Sequence, residues 1–547
     1  MKKIYLLAIT IVVAGLMITS ATSMATNNKS TEKIAEPTAE FLAMPCQLVN
    51  TVKIDNSASG ATSLFAGSQI TGGDYNEYHP SFAADTSGVF FAAYDGTQDG
   101  TIYYPTFTAS TDGGQTWGDG AYFAESAGAS KPNVDYKPAK GFYATFDPSF
   151  DNSGQVWIVD ATDLSNVLGA FWPWGDQNFD SFESLHLATY THAGPTDDGA
   201  WNWGGIALTG FNGYSSPNIA GCPFVTYQYD VTGYALIGWL TNSDGCTHAS
   251  NAIDQMTNMS YSAYDRNVSG KYQLLIRKDN FGVWNYNSQY DYWSHPYVTA
   301  KTITATGSLM YPDIIADQNK VIVVAQYDNA GNQDIVCYYS SNGMGSNTKS
   351  IVADSAENEL YPQISWMKPG VAVCTYIKGD QAFFKTTEDG GATWSTEARV
   401  SDEQISPVEN KALSISGING NAYAVWQDGR GANIDIYWDK FYQVAAPNIQ
   451  IGTVAGGVGK VTMDVLNTGD GAATNVTWSI IVKGGILKKI DVTTTGTIPN
   501  LAASGTETVK TDKFIFGLGK ITIGLTAGQA TASKTGKVFL FFVTGVK

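Results

Sequence analysis

Four arginines, five histidines and five cysteines are all that 547 residues hold of the side chains that most often build catalytic and metal centres. The arginines, Arg266, Arg277, Arg399 and Arg430, show no gathering in sequence such as bidentate recognition of an anionic group by several guanidinium forks would ask for. The histidines (His79, His186, His192, His248, His295) form no HExxH pair, and neither a Ser/His/Asp signature nor a phosphate-cradling glycine loop accompanies them. Cys46, Cys222, Cys246, Cys337 and Cys374 are too few for a disulfide scaffold, and without CxxC or Cys/His clusters they do not indicate zinc. Cys222 and Cys246 bracket one hairpin and form the preferred disulfide pair. After the N-terminus no apolar run approaches the ~20 residues of a membrane-spanning helix, and the closing Val538 to Val543 has only strand length.

Charge is also scarce and one-sided: charged residues make up 15% of the chain, with a formal net of −18. Ten lysines face five acids from Ala445 to Lys547, a net of +5, which leaves −25 on the preceding part of the mature chain. An acidic body disfavours nucleic acid and anionic lipid as partners.

The beginning reads as a secretory signal over residues 1–25: Lys2 and Lys3, an apolar run from Ile4 to Ile18, then small residues ending Ser23-Met24-Ala25. A linker over 26–46 follows, and the expected location is secreted, extracellular or at the cell surface. Sequons at Asn28, Asn258, Asn267 and Asn475 fit such a location.

Repetition is the strongest positive signal. Segments starting at His79 (HPSFAADTSGVFFAAYDG), Tyr311 (YPDIIADQNKVIVVAQYDN), Tyr361 (YPQISWMKPGVAVCTYIKG) and Lys411 (KALSISGINGNAYAVWQDG) each pair a short strand, a polar turn and a β-branched or aromatic strand. The last three start about 50 residues apart, the length of a four-stranded propeller blade. Weaker copies start at Asp147, Ser216 and Met259, making seven starts. Gln47 to Asp55 precedes the first copy without a partner, and the copy at Lys411 lacks a fourth strand, so pairing the two would close a ring and remove exposed edges.

Two eight-residue turns match: STDGGQTW from Ser110 and TEDGGATW from Thr387. An acid two residues after Ser or Thr accepts backbone N–H bonds, the glycines supply positive φ, and the Trp returns to the sheet. The pattern resembles the Asp-box of the sialidase-type, BNR-repeat β-propellers. The resemblance implies structural roles for Ser110, Asp112, Gly114, Thr116, Trp117, Thr387, Asp389, Gly391, Thr393 and Trp394, away from any active site. TNSDGCTH, Thr241 to His248, reads as a decayed copy. Residues 47–444 are therefore expected to form a sialidase-like propeller of six or seven blades.

After Ala445 the texture turns to Gly, Thr and Val in short alternating segments, the pattern of an antiparallel sandwich over 445–547. Its VLNTGDGAATNVTWSI run resembles the Ig-like adhesion modules of bacterial and archaeal surface proteins, which implies attachment to the cell envelope.

Sialidase chemistry would require three arginines on the substrate carboxylate, a Tyr nucleophile backed by Glu, and an Asp acid/base. The family's early Arg-Ile-Pro segment has no counterpart in DYNEYHP before Pro80, and no catalytic residue transfers. Aromatic residues carry the remaining functional signal: Trp172, Trp174, Trp201 and Trp203 in an insertion outside the blade pattern, and Trp284, Tyr290, Tyr292 and Trp293 in a second cluster. Flat rings beside Asp, Asn and Gln suit stacking on sugars, or else they cover outer strands. Acids spaced through the loops starting at Asp95 and Asp328 are candidate calcium ligands, or caps of tight hairpins. The expected function is binding of an extracellular glycan or surface protein without catalysis, with an exo-acting glycoside hydrolase of sialidase type as the alternative.

Overall fold

The computed structural model describes residues 50–51, 67–72, 74–97, 103–118, 120–122, 130–137, 141–147, 156–159, 167–171, 179–193, 200–212, 223–228, 235–239, 246–254, 256–257, 259–280, 285–287, 292–294, 297–401 and 403–547. The chain divides into two units, Met1–Tyr442 and Gln443–Lys547. Among the described residues the first unit contains seven antiparallel sheets of four or five strands and one two-stranded ribbon. The first strands of these sheets are Asn76–Ala84, Ser130–Lys137, Phe179–Ala193, Cys246–Asp254, Leu309–Asp317, Glu359–Lys368 and Leu413–Ile418. Each packs on the next and the last packs on the first, so the sheets close a ring around these inner strands, as in a β-propeller.

The second strands are buried on both faces, because a sheet in the ring is covered by a neighbour on either side. Lys320–Asn329 shows the division of labour. Val321 and Val323 pack with Tyr261, Leu274 and Ile276 of the fourth sheet, while Ile322 and Val324 pack with Ile364, Cys374 and Tyr376 of the sixth. Each fully buried aliphatic side chain contributes about 1.5–3 kcal/mol. The seam between first and last sheets is aromatic, with Phe82, Phe90 and Tyr94 against Val425, Ile436 and the half-buried Trp438.

Ring closure differs from the expectation. Asn50–Thr51, the described part of Gln47 to Asp55, pairs with Tyr122 and Ala121 at the outer edge of the first sheet. The strand added to the last sheet is Ser68–Gln69, opposite Trp438 and Tyr437. Ile70 and Glu77 then donate their N–H groups to the Ile436 and Ile434 carbonyls at 2.7 and 2.8 Å. This segment runs straight into the first inner strand, so it lies at the seam without any crossing loop.

Both Asp-box turns form between third and fourth strands. In the first, Gly114 N–H donates to Ser110 Oγ (2.8 Å), and Thr116 donates from N–H and Oγ1 to the two Asp112 oxygens (2.9 and 2.6 Å). The second repeats this with Gly391 to Thr387 Oγ1 (2.9 Å) and Thr393 to Asp389 (2.9 and 2.6 Å). A third turn with the same bonds stands at Ser340 to Ser346, with Asn342 replacing the acid: Met344 and Ser346 N–H reach Ser340 Oγ and Asn342 Oδ1, both at 3.0 Å. Gly391 needs its φ of 100° and a bare Cα, because a Cβ there would stand 3.0 Å from Cys337 Sγ. Trp117 and Trp394 are half-buried. Trp117 meets Trp438 edge-on at 5.9 Å, and Trp394 Nε1 donates to Ser350 Oγ at 3.2 Å.

The middle repeats were misphased. Asp147 ends the second strand of the second sheet and Met259 begins the second strand of the fourth, so neither opens an inner strand; Ser216 lies outside the described residues, and Cys246–His248 starts the fourth inner strand instead of closing a third-to-fourth turn. Inner strands such as Ser130–Lys137 face a polar channel and so lack the apolar run that marks second strands.

In the second unit, Ile449–Gly456, Val461–Asn467 and Thr506–Lys510 form one sheet, and Ile490–Leu501, Ala473–Gly484, Gly517–Ala527, Ala530–Leu540 and Phe542–Thr544 the other. Val461, Met463 and Val465 of the first meet Ile480, Val482, Ile521 and Ile523 of the second in a shared core, which makes the unit a β-sandwich.

Candidate functional site

A repeated irregularity builds the site. Near its start each of five inner strands skips register against its partner, between Tyr78 and Ser81, Ser130 and Asn133, Cys246 and Ala249, Met310 and Asp313, and Leu360 and Gln363. Such bulges re-aim side chains. His79, Lys131, Tyr311 and Tyr361 stand there with φ of 48–52°, and Lys411 has φ 67°. Left-handed backbone is uncommon outside glycine and must be held by its surroundings. Here the bulge N–H groups are taken by side chains of neighbouring sheets: His79 by Gln427 Oε1 (2.9 Å), Lys131 by Asp95 Oδ2 (3.0 Å), Tyr311 by Asp265 Oδ2 (3.1 Å) and Tyr361 by Gln326 Oε1 (3.2 Å).

The outcome is a cavity of about 280 Å³ at the end of the ring where the inner strands begin, lined by His79, Lys131, Thr247, His248, Tyr311, Glu409, Asn410 and Lys411. It adjoins a channel of about 580 Å³ between the inner strands, whose walls include Ser81, Asn133, Ser250, Asp313 and Gln363.

Two histidine–aspartate pairs face this cavity. His79 Nδ1 lies 2.7 Å from Asp95 Oδ2, and His248 Nδ1 lies 2.6 Å from Asp265 Oδ2; both carboxylates are fully buried. Asp265 also accepts from Thr247 N–H (3.0 Å), Thr247 Oγ1 (2.8 Å) and His248 N–H (3.0 Å). A carboxylate on Nδ1 fixes ring orientation and leaves Nε2 as the imidazole's outward polar atom. Glu409 approaches His79 Nε2 to 3.8 Å. Burial pulls the His79 pKa down, but the hydrogen bonds and charges of Asp95 and Glu409 more than reverse this and bring it to about 9, so the ring is cationic at neutral pH. Burial pushes the Asp95 carboxyl up, against the opposing pull of His79. Glu409 sits below the usual carboxylate range: burial opposes this, but the bonds to His79 and Gln427 prevail. The Tyr311 ring lies 3.8 Å from His248, centroid to centroid, and Tyr361 meets it edge-on at 4.8 Å. Burial and the neighbouring Tyr361 and Asp265 push the Tyr311 hydroxyl up to about 12, so it stays a hydrogen-bond donor. Cations, an acid, hydroxyls and half-buried aromatic rings thus share one concave surface.

The sequence expectations fall elsewhere. Trp172, Trp174, Trp284, Tyr290 and Cys222 lie outside the described residues. Trp201 and Trp203 stand in the strand Ala200–Asn212 of the third sheet, opposite His192 and Tyr190, in the part of the hairpin that extends beyond the pairing of Ile206–Phe211 with the next strand. Tyr292 and Trp293 stand in the two-stranded ribbon, opposite Asn287 and Tyr286. Cys246 is buried in the fourth inner strand; Cys337 and Cys374 are buried free thiols. Asp95 serves His79 and Lys131, and Asp328 Oδ1 caps its hairpin by accepting Gly331 N–H at 2.8 Å. Among the described residues no three His, Cys, Asp or Glu side chains gather as a metal site.

No arginine lines either cavity. Arg266 and Arg277 lie on adjacent strands of the fourth sheet, Arg399 at the exposed edge of the sixth, and Arg430 against Asp428 in a loop of the seventh. A tyrosine–glutamate pair exists, Tyr376 Oη donating to Glu397 Oε2 at 2.5 Å, but Tyr376 is fully buried between the fifth and sixth sheets. The residues that do line the mouth were legible in one respect: His79, Tyr311 and Lys411 are the first letters of aligned repeats. Their convergence was not.

Fold and site together define an all-β ring protein with a polar, aromatic mouth. No family model matches the chain, and no curated protein matches it in sequence. Solved structures similar to it include a Hadza microbial sialidase (10% identity, 67% of this chain and 66% of that one, TM-score 0.34). A puromycin hydrolase (8%, 74% and 62%, TM-score 0.39) and a Trypanosoma rangeli sialidase with 2,3-difluorosialic acid (9%, 89% and 88%, TM-score 0.33) also match. The chain thus spans just under two thirds of the length of the first two. Likeness this distant transfers no residue and no reaction.

Proposed function

We propose that this is a secreted or cell-surface binding protein, a seven-bladed propeller that holds an extracellular glycan at its channel mouth and carries a C-terminal Ig-like module for attachment to the cell envelope. The mouth cavity carries this reading. It combines the half-buried His248 and Tyr311 rings with polar groups and charges of both signs, the mixture that suits a sugar's apolar face and hydroxyl rim. The seven closed sheets support the blade number, and the absence of arginine from the cavity linings speaks against a sialoside. The test is a glycan array followed by titration calorimetry on the hits. Tyr311→Ala and His248→Ala are expected to weaken binding at least tenfold with folding retained. Full affinity in both variants would move the site away from the mouth, with Trp201, Trp203, Tyr292 and Trp293 as the next surface to test.

A second reading rests on the two histidine–aspartate pairs. Two imidazoles, each oriented by a buried carboxylate beside a cavity, can exchange protons with a bound ligand, which would make the protein an acid–base enzyme of another type than a sialidase. Release of new reducing ends from a bound glycan, abolished in His248→Ala, would favour it.

A further inference from the structure

The end of the C-terminal sandwich farthest from its own first residues, which begin at Gln443, carries an unusual surface. The chain enters the unit near Ala446, whose N–H donates to Asp470 Oδ1 and whose carbonyl accepts from Gly471 N–H. From there Ile449–Gly456 runs the length of the unit, roughly 25 Å at strand rise. At its far end four segments come together: Val458 bridges Phe542, Gly459 N–H donates to the Phe541 carbonyl, Ile515 N–H to the Gly459 carbonyl, and Gly485 N–H to the Lys520 carbonyl. They expose Leu487 (81%), Phe516 (65%), Phe539 (65%), Ile486 (62%) and Phe514 (56%). Leu487 and Leu540 hold left-handed φ of 60° and 55°, which fixes these apolar side chains on turns pointing outward.

Just behind the apolar tip stands a band of lysines. Leu518 and Lys520 alternate onto one face of their strand, as do Lys537 and Phe539 on the next, with Leu518 opposite Phe539 and Lys520 opposite Lys537, and Phe516 stands just before the first of these strands. Like charges directly opposite each other in a sheet are unfavourable unless an anion lies over them. Lys488, Lys489 and Lys513 are exposed in the tip turns. Asp491 and Asp512 are the acids at this end, the former 3.9 Å from Lys483 and the latter taken by Thr494. Apolar and aromatic side chains at the extremity, a lysine collar behind them and threonine beyond match the layering of a membrane interface, where rings enter the headgroup region and ammonium groups meet lipid phosphates.

We infer that this tip seats the protein on an anionic lipid surface by shallow insertion of Leu487, Phe514, Phe516 and Phe539 beneath the collar of Lys488, Lys489, Lys513, Lys520 and Lys537. The unfavourable charge of the whole chain toward such lipid resides in the first unit; the second has the opposite sign. Symmetric pairing of two copies through the tip would bring the lysine collars together, which disfavours a second copy as the occupant. The inference rests on the reading of the C-terminal unit as the attachment module and specifies how it attaches.

Flotation of the full chain with vesicles tests it. With equal parts phosphatidylglycerol and phosphatidylcholine the protein floats, with phosphatidylcholine alone it floats weakly, and added salt releases it. Lys520→Gln and Lys537→Gln each lower partitioning about fivefold, and the triple variant Leu487→Ser, Phe516→Ser, Phe539→Ser abolishes it with an unchanged melting curve. Failure to float, flotation indifferent to these variants, or a dimer that the triple variant dissociates overturns the lipid proposal. Binding to isolated cell envelopes without binding to vesicles overturns the lipid mode while leaving the attachment reading intact.

Discussion

Asp265→Ala offers the sharpest test of how the mouth is held. The native carboxylate is fully buried and accepts five hydrogen bonds, from Thr247 N–H and Oγ1, His248 N–H and ring, and Tyr311 N–H. It ties the fourth inner strand to the fifth. Alanine leaves those donors without an acceptor. Thr247 is exposed and can turn to water, but the His248 and Tyr311 amides lie deeper. At about 1–3 kcal/mol for each stranded donor, two of them set the expected loss at about 4 kcal/mol. Asparagine keeps one carbonyl for the His248 side but presents an amide donor to Tyr311 N–H, so about half that loss is expected. Asp95→Ala, with only His79 and Lys131 N–H as partners, should rank with the asparagine variant. Guanidinium unfolding followed by tryptophan fluorescence gives the free energies, and amide exchange at Tyr311 reports the local loss. A cost below about 1 kcal/mol with the Tyr311 amide still protected would refute the assigned role.

The raised His79 pKa stabilises the folded state fully below the free histidine value near 6.5, and that contribution is lost as pH rises through about 9; stability measured across pH 6 to 10 should fall less steeply in His79→Gln. Trp394→Ala, removing a half-buried ring that covers the fifth sheet, is expected to cost about 2–3 kcal/mol, less than a fully buried Trp. Gly391→Ala, at φ 100° and with Cys337 Sγ 3.0 Å from the new Cβ, should cost a similar amount; thermal melts read both. Removing residues 1–55 should leave the ring closed, whereas removing residues 1–72 strips Ser68–Gln69 and the Thr71 contact from the last sheet and should produce aggregation on gel filtration.

Much of this protein could be read without coordinates because the relevant bonds are local. An Asp-box closes through hydrogen bonds that span two to four residues, so Ser110 to Trp117 and Thr387 to Trp394 carry their turn wherever they are placed. The third turn, at Ser340 to Ser346, obeys the same local chemistry with asparagine in the acid's place. The continuous apolar runs of the second strands likewise announced sheets covered on both faces.

The mouth and the closure depend on distances that sequence does not express. His79 N–H finds its acceptor in Gln427, 348 residues away, and Lys411 reaches Asn133 across 278. A ring brings first and last sheets together, so His79, His248 and a few lysines, scattered in sequence, become neighbours only once the sheets have closed. Composition, local turns and strand pattern thus determined an all-β repeat protein with a sandwich at its end. Tertiary structure alone decided which N-terminal strand seals the ring and which side chains meet inside it, because ring closure is a property of the summed geometry of every sheet and of no single segment.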